Sequence, residues 1–449
     1  MTPATNCHMN RGGARRPAPS TPHPRPVRAG FGYNRSSTRS TALSHDAVAQ
    51  TKKKIFRRDV ISAVLFVGAV HSLVNLLAFI AHHSLGASEH WVGIIAAAGY
   101  CGYLWNLFLN RLTARVSLQR GIVLMMVLAS GILSVGAFQT EIVPYCLVII
   151  AFLLIAGLVD VQYSTLVHHL YDQDERPRFL SRRQFAIAIT TALLAPLFGW
   201  LCAGTSGHLP AFLLAAVLMA AAAAFFRSLP TRDEHHMERF RAWEVVRTAF
   251  GDPRFRRVAI LLTIYGWIGA GSRPILVLLY NRLGFEEDQV GLLTAIGTVG
   301  MLLGLLLITP HLRFAGGISN FRLCFTSSAC ALVIYGIVGL NEPGDWSFWI
   351  LACGAFAFGI SLVGFSLAMQ TTGLNLAPPG KTTLYVNALM IVLGVRGMFM
   401  PILTAEALNL WGLRTTLIIS MGVALGCAAV VLLPGIDGPA NTAEPMGDL

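Results

Sequence analysis

The sequence predicts an all-α polytopic membrane protein whose twelve transmembrane helices form two parallel six-helix repeats. Three observations predict this: a composition too apolar for water, twelve segments long enough to cross a bilayer, and a glycine pattern that recurs in the second half. Of the 449 residues, 54% are hydrophobic and 12% charged. Soluble domains run at roughly 25% charged, so a soluble enzyme, a nucleic-acid module and a secreted scaffold are excluded. The net charge of +12 is not a nucleic-acid signature, because the basic residues sit in one tail and in alternate loops. Seven of the eight cysteines (Cys101, Cys146, Cys202, Cys324, Cys330, Cys353, Cys427) fall in or beside apolar segments without a CxxC, and read as small buried hydrophobes.

Residues 1–58 are a basic tail. Runs such as Arg15-Arg16-Pro17 and Pro22–Pro26 bury no apolar area, so disorder is expected. Its Arg/Ser-rich, acid-free stretch up to Asp46 also fits a transit peptide or an over-extended start. From Asp59, a requirement of about 20 apolar residues per crossing yields spans near 59–84, 91–110, 121–139, 143–170, 184–204, 209–227, 258–281, 289–311, 321–340, 346–372, 383–410 and 412–434. The expected organisation is a first half over 59–227, a linker over 228–257, a second half over 258–434 and a tail over 435–449. Phe240, Trp243, Val246 and Phe250 in the linker give an amphipathic helix expected at the inner leaflet. Of the 34 Lys and Arg residues, all but Arg273, Arg282, Arg396 and Arg414 fall in the tail and in one set of alternate loops. The positive-inside rule then puts both termini in the cytoplasm.

The repeat is explicit. Leu85-Gly86, Val92-Gly93, Ala97, Gly99 and Gly102 return as Leu283-Gly284, Val290-Gly291, Ala295, Gly297 and Gly300, an offset of 198. Pro196 and Gly207 return as Pro401 and Gly412, and Ala151-Phe152 and Leu158-Val159 as Ala355-Phe356 and Leu362-Val363. Parallel six-span repeats are one plan of secondary transporters.

Two six-helix halves, a basic linker and a short basic loop after the second span together resemble the major facilitator superfamily over about residues 59–434. The family's G-x-L-x-D-R-x-G loop survives only in part: Asn106-Leu107-Phe108-Leu109-Asn110-Arg111 keeps the arginine, and Thr309-Pro310-His311-Leu312-Arg313 is degenerate too. A fainter resemblance, carried by Glu234–Phe240, Gly99–Asn106 and Gly316–Asn320, is to facilitator-type proteins of magnetosome membranes. It would imply iron transport at an invagination of a bacterial inner membrane.

Ionisable groups inside a bilayer core are costly enough to mark function. Asp160 and Arg396 lie near the middle of spans four and eleven, Arg273 in span seven, and His71 in span one. His71, Asn75, Ala78 and His82 share one helical face, and the repeat maps Asn75 onto Arg273. The family resemblance places Asn75, Asp160 and Arg273 in a central cavity. Arg273, Asn75 and His71 are therefore the substrate-binding candidates. A guanidinium is a five-donor fork for carboxylate or phosphate; the alternative is an Arg273 snorkelling to the interface. Asp160 is the proton-coupling candidate, or else a structural partner of Arg396. Arg396, between Gly394 and Gly397, and Arg111, Pro196 and Pro401 are gating or helix-pairing candidates. His71 and His82 are a weak metal pair. Asn375–Thr382 imitates a phosphate loop, but no strand precedes it. The expected partners are a small-molecule or ion substrate and the lipid bilayer, with no nucleic acid, no cofactor, no enzyme chemistry and a monomeric state. The rival to transport is a membrane receptor or assembly factor of the same fold.

Overall fold

The structure is a computed structural model that describes residues 38–113, 117–171, 176–229, 242–308, 317–378 and 381–432. The helices, in order, are α1 (Thr38–His83), α2 (Glu89–Thr113), α3 (Leu118–Gly136), α4 (Ile142–Leu170), α5 (Arg176–Ala203), α6 (Leu209–Arg227), α7 (Ala242–Gly251), α8 (Pro253–Gly269), α9 (Ser272–Arg282), α10 (Glu287–Leu303), α11 (Gly317–Leu340), α12 (Ser347–Leu376) and α13 (Thr382–Leu432). Among the described residues there is no strand.

Among the described residues, ten helical stretches are long and apolar enough to cross a membrane. One of them, Asn387–Leu432, is 46 residues, roughly 69 Å at 1.5 Å per residue. That is twice the ~30 Å of a hydrocarbon core. It is two crossings, because Gly412 breaks the helix at φ 73°, ψ 170°. With α2, whose 25 residues are also long enough to span, twelve helices of crossing length stand among the described residues. Leu193, Trp200, Val217, Trp349 and Leu410 stay largely exposed on the outside of the bundle, the arrangement a lipid solvent requires.

The repeat seen in sequence is a repeat in backbone conformation. The positive-φ glycines are Gly86 (72°), Gly284 (68°), Gly207 (57°) and Gly412 (73°), two pairs at matching places in the two halves. Each lies where the chain turns from one crossing into the next, in a region that L-residues avoid. Packing repeats too. The space a Gly157 side chain would need is filled by the Gly99 carbonyl, and that of Gly359 by the Gly297 carbonyl. Gly300 likewise lies against the backbone of Phe356, so the glycines of α10 are a helix-packing surface.

Three boundaries differ from expectation. α1 begins at Thr38 rather than Asp59, because backbone hydrogen bonds continue a helix whether or not its residues are apolar. α5 begins at Arg176, which carries Arg182 and Arg183 into the helix. The seventh crossing is interrupted between Gly269 and Ser272. In the linker helix α7, Val245 and Ala249 are buried in the core and Phe250 meets Phe255 edge to face; Phe240 and the side chain of Trp243 lie outside the described residues.

Candidate functional site

A cavity of about 160 Å³ lies among the crossings of the first half. Along α1 its lining residues include Asp59, Ser62, Phe66, Val70 and Val74, three or four apart as one helical face demands, with His71 beside Val70. From Asp59 to Val74 that face is about 22 Å long. α2 adds Gly99, Tyr100 and Tyr103; α4 adds Gly157, Asp160 and Tyr163; α5 adds Arg183. The second half contributes Arg273, at the start of α9.

The wall is apolar apart from a small set of charges: Asp59, Asp160, Arg183, Arg273 and the imidazole of His71. His71 and Asp160 are exposed to the cavity, and Arg273 is half-buried. The Tyr103 hydroxyl donates to Asp160 Oδ2 at 2.7 Å. The Arg273 guanidinium lies 5.8 Å from the Tyr100 ring centre. His71 shares the cavity wall with Asp160, Arg273 and Arg183. Asp59 is buried at 1% exposure and accepts from the hydroxyls of Tyr163 (2.8 Å) and Tyr171 (2.6 Å). Burial first, and then the Asp59 carboxylate, push the Tyr171 hydroxyl well above the usual tyrosine range, so it serves as a donor. Arg183 stacks over the Tyr163 ring at 3.8 Å.

The halves are joined at the end of the bundle away from the linker. His83 Nδ1 meets Asn281 Oδ1 at 2.8 Å, Ser84 Oγ donates to Glu287 Oε1 at 2.5 Å, and His90 pairs with Glu406 at 2.6 Å. His83 and Asn281 are repeat-equivalent positions, so they face each other across the pseudo-twofold axis. Deeper, Asn75 Nδ2 donates to Thr294 Oγ1 at 3.2 Å. Glycines also allow close approach: Gly199 of α5 lies against the backbone of Glu287 and Asp288, Gly291 of α10 against that of Ala195, Gly93 of α2 against the Pro401 carbonyl and the Ala405 side chain, and Gly397 against the Tyr100 side chain. The cavity reaches toward the opposite end, where Asp59 and the linker lie.

The sequence profile of the Major Facilitator Superfamily matches residues 60–395. The chain belongs to the major facilitator superfamily. Solved transporters share its fold. A single-substitution variant of the nucleoside transporter NupG superposes with a TM-score of 0.68 at 13% identity, over 85% of this chain and 98% of that one. A POT family transporter in complex with 5-aminolevulinic acid gives 0.67 at 13%, over 85% and 95%. The human organic anion transporter MFSD10 (TETRAN) gives 0.61 at 14%, over 85% and 99%. A comparison with curated protein sequences finds no match.

Within this facilitator fold the expected site residues separate. Arg273, His71 and Asp160 come together in the cavity wall. Asn75 does not line it; its amide joins α1 to α10 of the other half. Arg396 is 5% exposed, donates from NH1 to the Leu262 carbonyl at 2.6 Å, and packs on Phe365 and Tyr265. These contacts tie α13 to α8 and α12 within the second half. His82 bonds the Ala87 carbonyl at 2.7 Å across the turn after α1, three helical turns from His71. Among the described residues no three His, Cys, Asp or Glu side chains come together as metal ligands. Pro401 and Pro196 lie inside α13 and α5, and the Pro401 backbone is at the contact with Gly93. The side chains of Asn106–Arg111, with the loop Thr309–Arg313, lie outside the described residues.

Sequence reasoning missed Arg183, Asp59, Tyr103 and Tyr163. Asp59 and Arg183 sit where the apolar spans were expected to begin, so they read as water-facing ends. The longer helices draw both inside. No local signal distinguishes a cavity tyrosine from a core one.

Proposed function

We propose that this protein is a secondary transporter that carries a small solute with an anionic group by alternating access, with proton coupling through Asp160. The observation that supports it most directly is the cavity lined by Arg273 of the second half and by His71 and Asp160 of the first. A midplane site shared by two repeats is where a rocking carrier binds its cargo. The polar joints His83–Asn281, Ser84–Glu287 and His90–Glu406 close one end, which on this reading faces the periplasm of a bacterial inner membrane. The cavity is then the inward-open site, and both termini are cytoplasmic.

The charges give the coupling a sign. Asp59, Asp160, Arg183 and Arg273 balance formally when both carboxylates are ionised. Protonating Asp160 leaves the cavity one unit positive, which favours an anion; binding an anion in turn favours the proton, because the linkage is reciprocal. Proton and anion therefore travel together. The test uses proteoliposomes loaded with a pH-sensitive dye and challenged with a panel of small carboxylates, phosphate esters, amino acids and nucleosides. A solute that is accumulated should acidify the lumen, and Asp160→Asn should retain solute exchange while losing both acidification and pH-driven accumulation. Acidification that persists in Asp160→Asn refutes the coupling role.

A further inference from the structure

We infer that Arg183 is a second anion-binding point of this cavity, so that the solute is held through carboxylate or phosphate oxygens by one arginine from each half. The inference rests on the transport reading above and adds to it a residue and a substrate chemistry.

Arg183 lies about two turns inside α5, roughly 10 Å from the helix start at 1.5 Å per residue. It is 8% exposed, lines the cavity, and its Nε is buried without a hydrogen-bond partner. Burying a guanidinium is expensive unless something compensates its charge. The obvious compensator, Asp59, is already engaged: its two oxygens accept from Tyr163 and Tyr171 at 2.6–2.8 Å. What Arg183 has instead is the face of Tyr163, 3.8 Å from its carbon to the ring centre. A cation–π stack uses the flat face of the guanidinium and leaves its N–H edges unspent. Those edges are the groups that grip two oxygens of a carboxylate or phosphate. Asp59 holds the tyrosine, the tyrosine holds the arginine, and the donors stay available.

Arg183 and Arg273 both line this cavity. They come from opposite halves: an oxyanion held by both ties the halves together around itself, whereas a neutral or cationic solute gains nothing from either. With Asp160 protonated, the two arginines outweigh Asp59, and the cavity favours an anion over a zwitterion.

The experiment uses the full-length protein in lipid nanodiscs, with inorganic phosphate and succinate as probes and sodium chloride at matched ionic strength as the control. The readout is the half-saturating concentration for the rise in melting temperature. Either probe should act saturably on the unmodified protein, and which one acts decides between phosphate and carboxylate chemistry. Arg183→Gln should raise the half-saturating concentration about 10- to 100-fold, the range for losing a hydrogen bond to a charged group. Arg183→Lys keeps the charge without the fork and should lose less. Arg183→Gln binding like the unmodified protein, while Arg273→Gln is weakened, overturns the inference and leaves the transport reading standing. Absence of a saturable effect with both probes overturns it also, and the proton-flux assay above is then still decisive for transport. If the Gln variant does not fold, Arg183→Lys carries the test, and affinity equal to the unmodified protein refutes bidentate binding.

Discussion

Glu287 should act as the main electrostatic fastener of the end that the structure closes. It is 8% exposed, and it accepts from Ser84 across the two halves at 2.5 Å. A hydrogen bond to a charged group of this kind contributes about 1.5–3 kcal/mol. The His90–Glu406 pair spans the same seam at 2.6 Å, but its side chains are 56% and 42% exposed, so water and salt screen it to about 0.2–1 kcal/mol. Both contacts exist only while this end is closed. Their loss therefore passes in full into the equilibrium between the two conformations. At 1.4 kcal/mol per factor of ten, Glu287→Ala should raise the open-to-closed ratio at this end about 10- to 150-fold, and His90→Ala about fivefold at most. Spin labels at Thr140 and Asn341, on loops of the two halves at the same end, would report it by pulsed electron resonance in a cysteine-free background. The long-distance population should grow strongly in Glu287→Ala and little in His90→Ala. Equal growth in both, or an unchanged distribution in Glu287→Ala, would refute the argument that burial decides which contact holds the seam.

Three further outcomes are expected. Arg273→Ala should weaken solute affinity by about 1.5–3 kcal/mol, and Arg273→Lys by less; competition binding with the transported solute measures both, and unchanged affinity in the two returns Arg273 to the interface-snorkelling reading. Gly157→Val should lower the melting temperature in detergent, because its side chain would enter the space of the Gly99 carbonyl; overpacking of this kind costs about 1–3 kcal/mol or more, and Gly131→Val, where nothing stands near, should have a far smaller effect. Asp252→Ala removes the cap of α8, whose side chain accepts from Arg254 N at 2.8 Å and from Tyr385 at 3.1 Å. A loss of about 1 kcal/mol, read as faster amide exchange in the first turn of α8, is the expected result.

Composition and periodicity determined the twelve crossings and their division into two parallel halves, because the bilayer imposes one requirement on every crossing and the sequence meets it twelve times. The repeat was legible for a similar reason. A positive-φ turn admits few residues besides glycine, so Gly86 with Gly284 and Gly207 with Gly412 left the same mark in both halves. His71, Asp160 and Arg273 were legible as cavity residues because a charge or imidazole amid apolar neighbours stands out. Tertiary structure alone decided the rest. Asn75 and Arg273 are equivalent in sequence, yet one is bonded to Thr294 and the other faces the cavity, since pseudo-symmetric helices meet different neighbours once the bundle leans toward one closed end. Arg396 stood out as clearly as Arg273, but the Leu262 carbonyl and the rings of Phe365 and Tyr265 occupy it. Arg183 and Asp59 carried no signal, because a charged residue at the edge of an apolar span is read as wet. Only the position of the neighbouring helices determines whether water or protein surrounds it.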